Sequence, residues 1–151
     1  MILRIGFWAF ASILLSACSH GGLRLESSDQ SLVEIQKLVV DSLPVGKRTV
    51  SSNGREFFSE YFVIVGNKAR AANQGNVRYY AHVYVLGDRR PYIIEGLVRK
   101  EVRESSFSGK DVEYSAAGVD DELTSVLVQK LKAALTKSRG DLNIIDDFRV
   151  F

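Results

Sequence analysis

Val77-Arg78-Tyr79-Tyr80-Ala81-His82-Val83-Tyr84-Val85-Leu86, turned by Gly87-Asp88-Arg89-Arg90 into Pro91–Arg103, decides the fold. Side chains alternate faces along a strand, so one residue in two shares a side. Val77, Tyr79, Ala81, Val83 and Val85 make one apolar side, and Ile94, Val98 and Val102 continue it on the second strand. The other side carries Arg78, Tyr80, His82, Tyr84 and Leu86 beside Glu95, Leu97, Arg99, Glu101 and Arg103. A pair with one apolar and one mixed face predicts an antiparallel sheet covered on one side only. Pro91 stands at the start of its strand, where a missing N–H is tolerated.

Outward from this pair, the pattern predicts strands over Lys47–Ser52 and Arg55–Val65 about an Asn53-Gly54 turn of type I′. In Arg55–Val65 the set Phe58, Glu60, Phe62, Ile64 and the set Phe57, Ser59, Tyr61, Val63 are both apolar, so the alternation leaves its polarity open. Gly66–Asn76 reads as a loop, and Glu104–Gly118 as a polar loop. A helix is expected over about 29–43, with Ser31-Leu32-Val33-Glu34 as a capping box, Leu32, Ile35, Val39 and Leu43 on one face and Pro44 as its stop. A second is expected over about 119–138. Its apolar stripe is Val119, Leu123, Val126, Leu127, Leu131, Ala134 and Leu135, its first turn holds Asp120, Asp121 and Glu122, and Gly140 stands at its end. Leu142–Ile145 and Phe148–Phe151 read as a last strand broken at Asp146-Asp147. The order α-β-β-β-β-α-β gives an α+β fold of two layers: an antiparallel meander of four to five strands with two helices on one face.

The first 28 residues follow a different logic. Arg4 precedes an apolar run from Ile5 to Leu15, and small residues Ser16 and Ala17 precede Cys18. That is the three-part pattern of a secretory signal, and the run is too short for a membrane span of about 20 residues. Leu15-Ser16-Ala17-Cys18 resembles the lipobox of bacterial lipoproteins at all four positions. The resemblance implies transfer of diacylglycerol to the Cys18 thiol, cleavage after Ala17 and acylation of the new amino group. Ser19 after the cysteine favours the periplasmic face of the outer membrane. Residues 1–17 are then the signal peptide, 18–28 the lipidated cysteine and a polar tether, and 29–151 one α+β domain.

Composition narrows the chemistry. Met1, Trp8 and Cys18 are the sole residues of their kinds, so the processed chain offers no disulfide, no free thiol and no tryptophan. Net charge is +2 for the whole chain and falls by one with Arg4, which gives no general argument for nucleic acid. His20 and His82 are the two histidines; neither sits in metal-ligand spacing. Nucleophile-elbow and phosphate-loop motifs are absent. The expectation is a non-catalytic protein without metal or cofactor other than the acyl chains on Cys18. Arg78, Tyr80, His82 and Tyr84 are the candidate contact surface, because tyrosine and arginine dominate protein interfaces. The element order is similar to that of small outer-membrane assembly lipoproteins such as the lipopolysaccharide-assembly lipoprotein. That resemblance implies an envelope protein as partner, and no residue role is carried over from it. The alternative is a lipid or glycan ligand, held in a cavity lined by Phe57, Phe58, Tyr61 and Phe62.

Overall fold

The structure, a computed structural model, describes residues 21–27, 30–104 and 112–146, with side chains to residue 138. Its elements are β1 (Leu23–Ser27), α1 (Leu32–Ser42), β2 (Lys47–Val50), β3 (Glu56–Ser59), β4 (Phe62–Val65), β5 (Lys68–Ala71), β6 (Val77–Leu86), β7 (Tyr92–Arg103), β8 (Tyr114–Val119) and α2 (Asp121–Asp146). The fold is α+β, with one antiparallel sheet and two helices. Across the sheet the order is β2, β3, β6, β7, β1. β4 joins β6 beyond β3, with β5 on its outer side, and β8 joins β7 beyond β1. The eight segments therefore make a sheet five strands wide.

The long β6–β7 pair has the expected register, Val77↔Val102 through Leu86↔Ile93. Its apolar side is the core: Ala81, Val83, Val85, Ile94 and Val98 pack with Ile35, Val39 and Leu43 of the α1 region and Leu127, Leu131 and Leu135 of α2. Both helices thus lie on one face of the sheet. α2 packs closely over Gly96, where a Cβ would stand 3.3 Å from Val128 Cγ2 and 3.4 Å from Leu131 Cδ1. The absent side chain is what lets the helix sit on β7.

α1 begins as its sequence demands. The Ser31 amide donates to Glu34 Oε2 at 2.6 Å, and the Glu34 amide donates back to Ser31 Oγ at 3.3 Å. These bonds, first from the Ser31 backbone and then from its hydroxyl, hold the Glu34 carboxyl below its ordinary 4.5. A carboxylate lowered in the fold adds stability above its unfolded value and loses it as pH falls through its folded one. Ser31→Ala is expected to cost about 1 kcal/mol in urea unfolding at neutral pH, less in acid, and to return Glu34 toward its ordinary titration by NMR.

Strand Arg55–Val65 is two strands, and the break settles its polarity. Phe57 and Ser59 face the helices, but so does Phe62, all three buried. Two residues intervene between Ser59 and Phe62, so the alternation changes parity there, as at a bulge. The Ala81 amide of β6, opposite the break, donates to Ser59 Oγ at 2.8 Å in place of a backbone carbonyl.

A similar substitution closes a gap on the other edge. β1 pairs with β7 up to Gly96 and β8 resumes at Arg99. Between them the Val98 amide donates to Thr124 Oγ1 at 2.9 Å, and the Val98 carbonyl accepts the Asp120 amide at 2.9 Å. The start of α2 therefore completes the strand edge. Thr124→Val keeps the shape but orphans a buried amide, and is expected to cost about 1–3 kcal/mol, read by chemical denaturation.

Several expectations are corrected. Leu23–Ser27, expected as tether, is β1, and the expected loop 104–118 contains β8. Both are edge segments held by β7 rather than by their own composition. α2 continues through Gly140 to Asp146, so Leu142–Ile145 is helix and not strand. One glycine costs a helix only about 1 kcal/mol, and Leu135, Leu142 and Ile145 keep helical spacing. Phe148–Phe151 lies outside the described residues. Asp120 is the residue before α2, its carboxylate accepting the Leu123 amide at 3.0 Å. Val119 belongs to β8, and Val126 is 59% exposed while Val128 and Thr124 point inward. The type I′ geometry is not at Asn53-Gly54, where only Gly54 has a positive φ. There, Ser51 Oγ and Asn53 Oδ1 accept the Arg55 amide and hold a wider turn. Gly66-Asn67, inside the expected loop, has both φ values positive (55° and 61°) and joins β4 to β5.

Candidate functional site

The face of β6 turned away from the helices carries Arg78, Tyr80, His82 and Tyr84 in one row. The structure brings all four together with residues of β2, β3 and the β3–β4 break. His82 stacks on Phe58 with ring centroids 4.0 Å apart and lies 3.9 Å from Tyr84. Tyr80 meets Tyr61 edge-on at 5.7 Å. Arg48 lies over the Tyr61 ring at 4.1 Å. Arg78 lies between two rings, 3.8 Å from Tyr61 and 3.6 Å from Tyr114, while its Nε donates to Glu101 at 2.7 Å. His82 Nε2 is 3.4 Å from the Glu56 carboxylate.

The row is less open than expected of a bare sheet face. His82 and Tyr84 are buried, as are Glu95 and Leu97 on the neighbouring strand. Half-buried Arg48, Phe58, Tyr61, Arg78, Tyr80 and Arg99 form the accessible layer. Glu95 pairs with Arg24 of β1 at 2.8 Å. Of this set, Arg48 and Arg24 have no place in the sequence reading, and Phe58 and Tyr61 were expected to line a cavity instead. The parity change at the break brings Tyr61 to this face, and Arg24 belongs to a strand expected as tether.

Burial pushes the Tyr80 and Tyr84 hydroxyls above the ordinary 10.0, with Arg99 pulling both back. A phenol that resists ionisation in the fold adds stability that is complete below pH 10 and is lost as pH rises through the folded value. An ultraviolet titration of tyrosinate is expected to show a late component above pH 10. The pair Tyr80→Phe and Tyr84→Phe removes it and lessens the alkaline loss of stability.

A second feature opens on the helical side. A groove of about 570 Å³ runs between the end of α1, the β4–β5 hairpin and the first turns of α2. Phe62, Ile64, Tyr79, Val98, Leu123 and Val126 line it, with Asp120, Glu122 and Lys130 among its polar residues. Ile64 and Val126 are 39% and 59% exposed, large apolar side chains left open to solvent. This is not the cavity expected from sequence. Phe62 lines it, but Phe57 is in the core and Phe58 and Tyr61 are on the opposite face.

Among the described residues, no group of three or more His, Cys, Asp or Glu could hold a metal ion, and no helix is long and apolar enough to cross a membrane. Cys18 and His20 lie outside the described residues. No family model matches the chain, and neither a curated protein nor a solved structure does.

Proposed function

We propose that this chain is a lipid-anchored cell-envelope protein whose α+β domain binds a partner at the periplasmic face of the outer membrane and carries out no reaction of its own. Leu15-Ser16-Ala17-Cys18, complete at every lipobox position and set behind a short apolar run, carries the anchor. Two or three acyl chains, each methylene worth about 0.8 kcal/mol, hold a protein where one chain would not. The binding role is supported by the groove, where Ile64 and Val126 expose apolar surface within one recess. The partner it suits is an envelope protein offering an apolar segment. A second reading, a lipid or glycan ligand, draws on the same groove, because its apolar walls and polar residues fit an acyl chain with a headgroup.

One experiment separates the two. A photo-crosslinking residue at Val126, in the full chain in intact cells, is expected to give a discrete protein adduct, and the same residue at exposed Val33 of α1 is not. A small molecule recovered in stoichiometric amount by mass spectrometry, with no adduct at Val126, would establish the second reading instead.

A further inference from the structure

The geometry points to how the groove takes its partner: we propose that β5 accepts an extended segment of the partner protein as an added strand, its apolar side chains toward the groove and its acidic ones on the other face. The inference rests on the groove reading above. β5 pairs with β4 alone, and among the described residues no strand lies beyond it. All its residues, Lys68 to Ala71, are exposed. Just past its end, the Ala72 amide donates to the Tyr61 carbonyl at 3.0 Å. Alternate residues of an antiparallel strand bond to the same neighbour, so Arg70 and Lys68 bond inward as Ala72 does. The amides and carbonyls of Ala69 and Ala71 then point outward, a template for one more strand.

The two faces of β5 differ. Ala69 stands opposite Ile64 and Ala71 opposite Phe62, and Phe62, Ile64 and Ala69 line the groove. Alanine is too short to cover its neighbour, and Ile64 stays 39% exposed. A large apolar side chain set opposite Ala69 reaches over it onto that surface. Lys68 and Arg70 stand on the other face, opposite Val65 and Val63. Neither forms an ion pair with a described residue. Asp120 and Glu122 line the groove, the side on which the incoming chain is apolar.

Charge selects the occupant. If two copies of β5 paired antiparallel through Ala69 and Ala71, every register that used most of the strand would set Arg70 against Arg70 or against Lys68. Like charges directly opposite each other destabilise a sheet, and opposite charges stabilise it. The edge therefore rejects a second copy and suits carboxylates facing Lys68 and Arg70. β2, another outer strand, has a register shift between Lys47 and Thr49, an irregularity that interrupts its edge.

Two measurements test the added strand. In cells, the photo-crosslinking residue at Val126 is combined with Lys68→Glu and Arg70→Glu, exposed positions that leave the core alone. The adduct, normalised to the amount of chain, is expected to fall about tenfold, since carboxylates would then face carboxylates. An adduct unchanged in amount overturns the proposal and leaves the groove as the binding site. In vitro, the full processed chain, isotope-labelled at alanine and held in detergent micelles, is mixed with a blocked peptide alternating Glu and Val or with one alternating Lys and Val. By NMR, the Glu peptide is expected to slow hydrogen exchange of the Ala69 and Ala71 amides about tenfold and the Lys peptide to leave it unchanged. In the Lys68→Glu, Arg70→Glu chain the preference reverses. Slowing by both peptides alike, or by neither, overturns the proposal. This second measurement decides the matter even where Val126 gives no adduct and the partner reading itself has failed.

Discussion

Phe57→Ala is expected to cost about 3–5 kcal/mol, against a total stability of about 5–15 kcal/mol for a domain of this size. Phe57 is 2% exposed and sits in the cluster that joins both helices to the sheet. It pairs with Val83 of β6 on one side and Val50 of β2 on the other, so its ring fills space no other strand can enter. Removing it loses the transfer energy of the ring and leaves a cavity that the strands cannot close without breaking register. Circular dichroism in urea is the measurement, since the processed chain lacks tryptophan. The midpoint falls and the slope stays the same, because the surface exposed on unfolding is nearly unchanged. Phe58→Ala, one residue on but on the half-buried opposite face, costs clearly less. Equal losses at the two positions would refute the assignment of faces in β3.

Cys18→Ala is expected to have the largest effect of any single substitution on where the protein is found. Without the thiol there is no attachment point for diacylglycerol. The chain then leaves the membrane fraction entirely, or stays as uncleaved precursor. The domain itself is untouched, because the residues that pack the core, from Leu25 of β1 onward, all lie beyond Cys18 and β1 is held by backbone pairing to β7. A protein with wild-type unfolding behaviour and no acyl chain, either released from the membrane or still joined to residues 1–17, is the signature. Retention at the wild-type level of a chain cleaved after Ala17 would mean that something other than acylation holds it.

The parts of the fold that were legible are those in which one local rule dominated. β6 and β7 alternate over ten and twelve residues, long enough for period two to fix both faces. α1 announces itself through Ser31 and Glu34 and is stopped by Pro44. What escaped depended on partners distant in sequence. Leu23–Ser27 and Tyr114–Val119 are strands because β7 offers them an edge; Ser115-Ala116-Ala117-Gly118 alone reads as loop. The change of parity after Ser59 has no local signal, since every residue from Phe57 to Val65 except Ser59 and Glu60 is apolar or aromatic. Two dipeptides, Asn53-Gly54 and Gly66-Asn67, competed for one turn type, and Ser51 decided the outcome by hydrogen-bonding the first into a wider loop. The candidate surface was read in part for the same reason: its β6 row follows from alternation, whereas Arg48 and Tyr61 reach it through the pairing of β2 and the break in β3–β4.

The anchor is the claim on which the rest depends, and mass spectrometry of the amino-terminal peptide tests it most directly. Full-length protein, expressed in a Gram-negative host and extracted from the outer-membrane fraction, is expected to begin at Cys18, with a diacylglyceryl thioether and an acylated amino group. A peptide that still joins Ala17 to Cys18, or a free Cys18 thiol in a chain recovered from the soluble fraction, would contradict it.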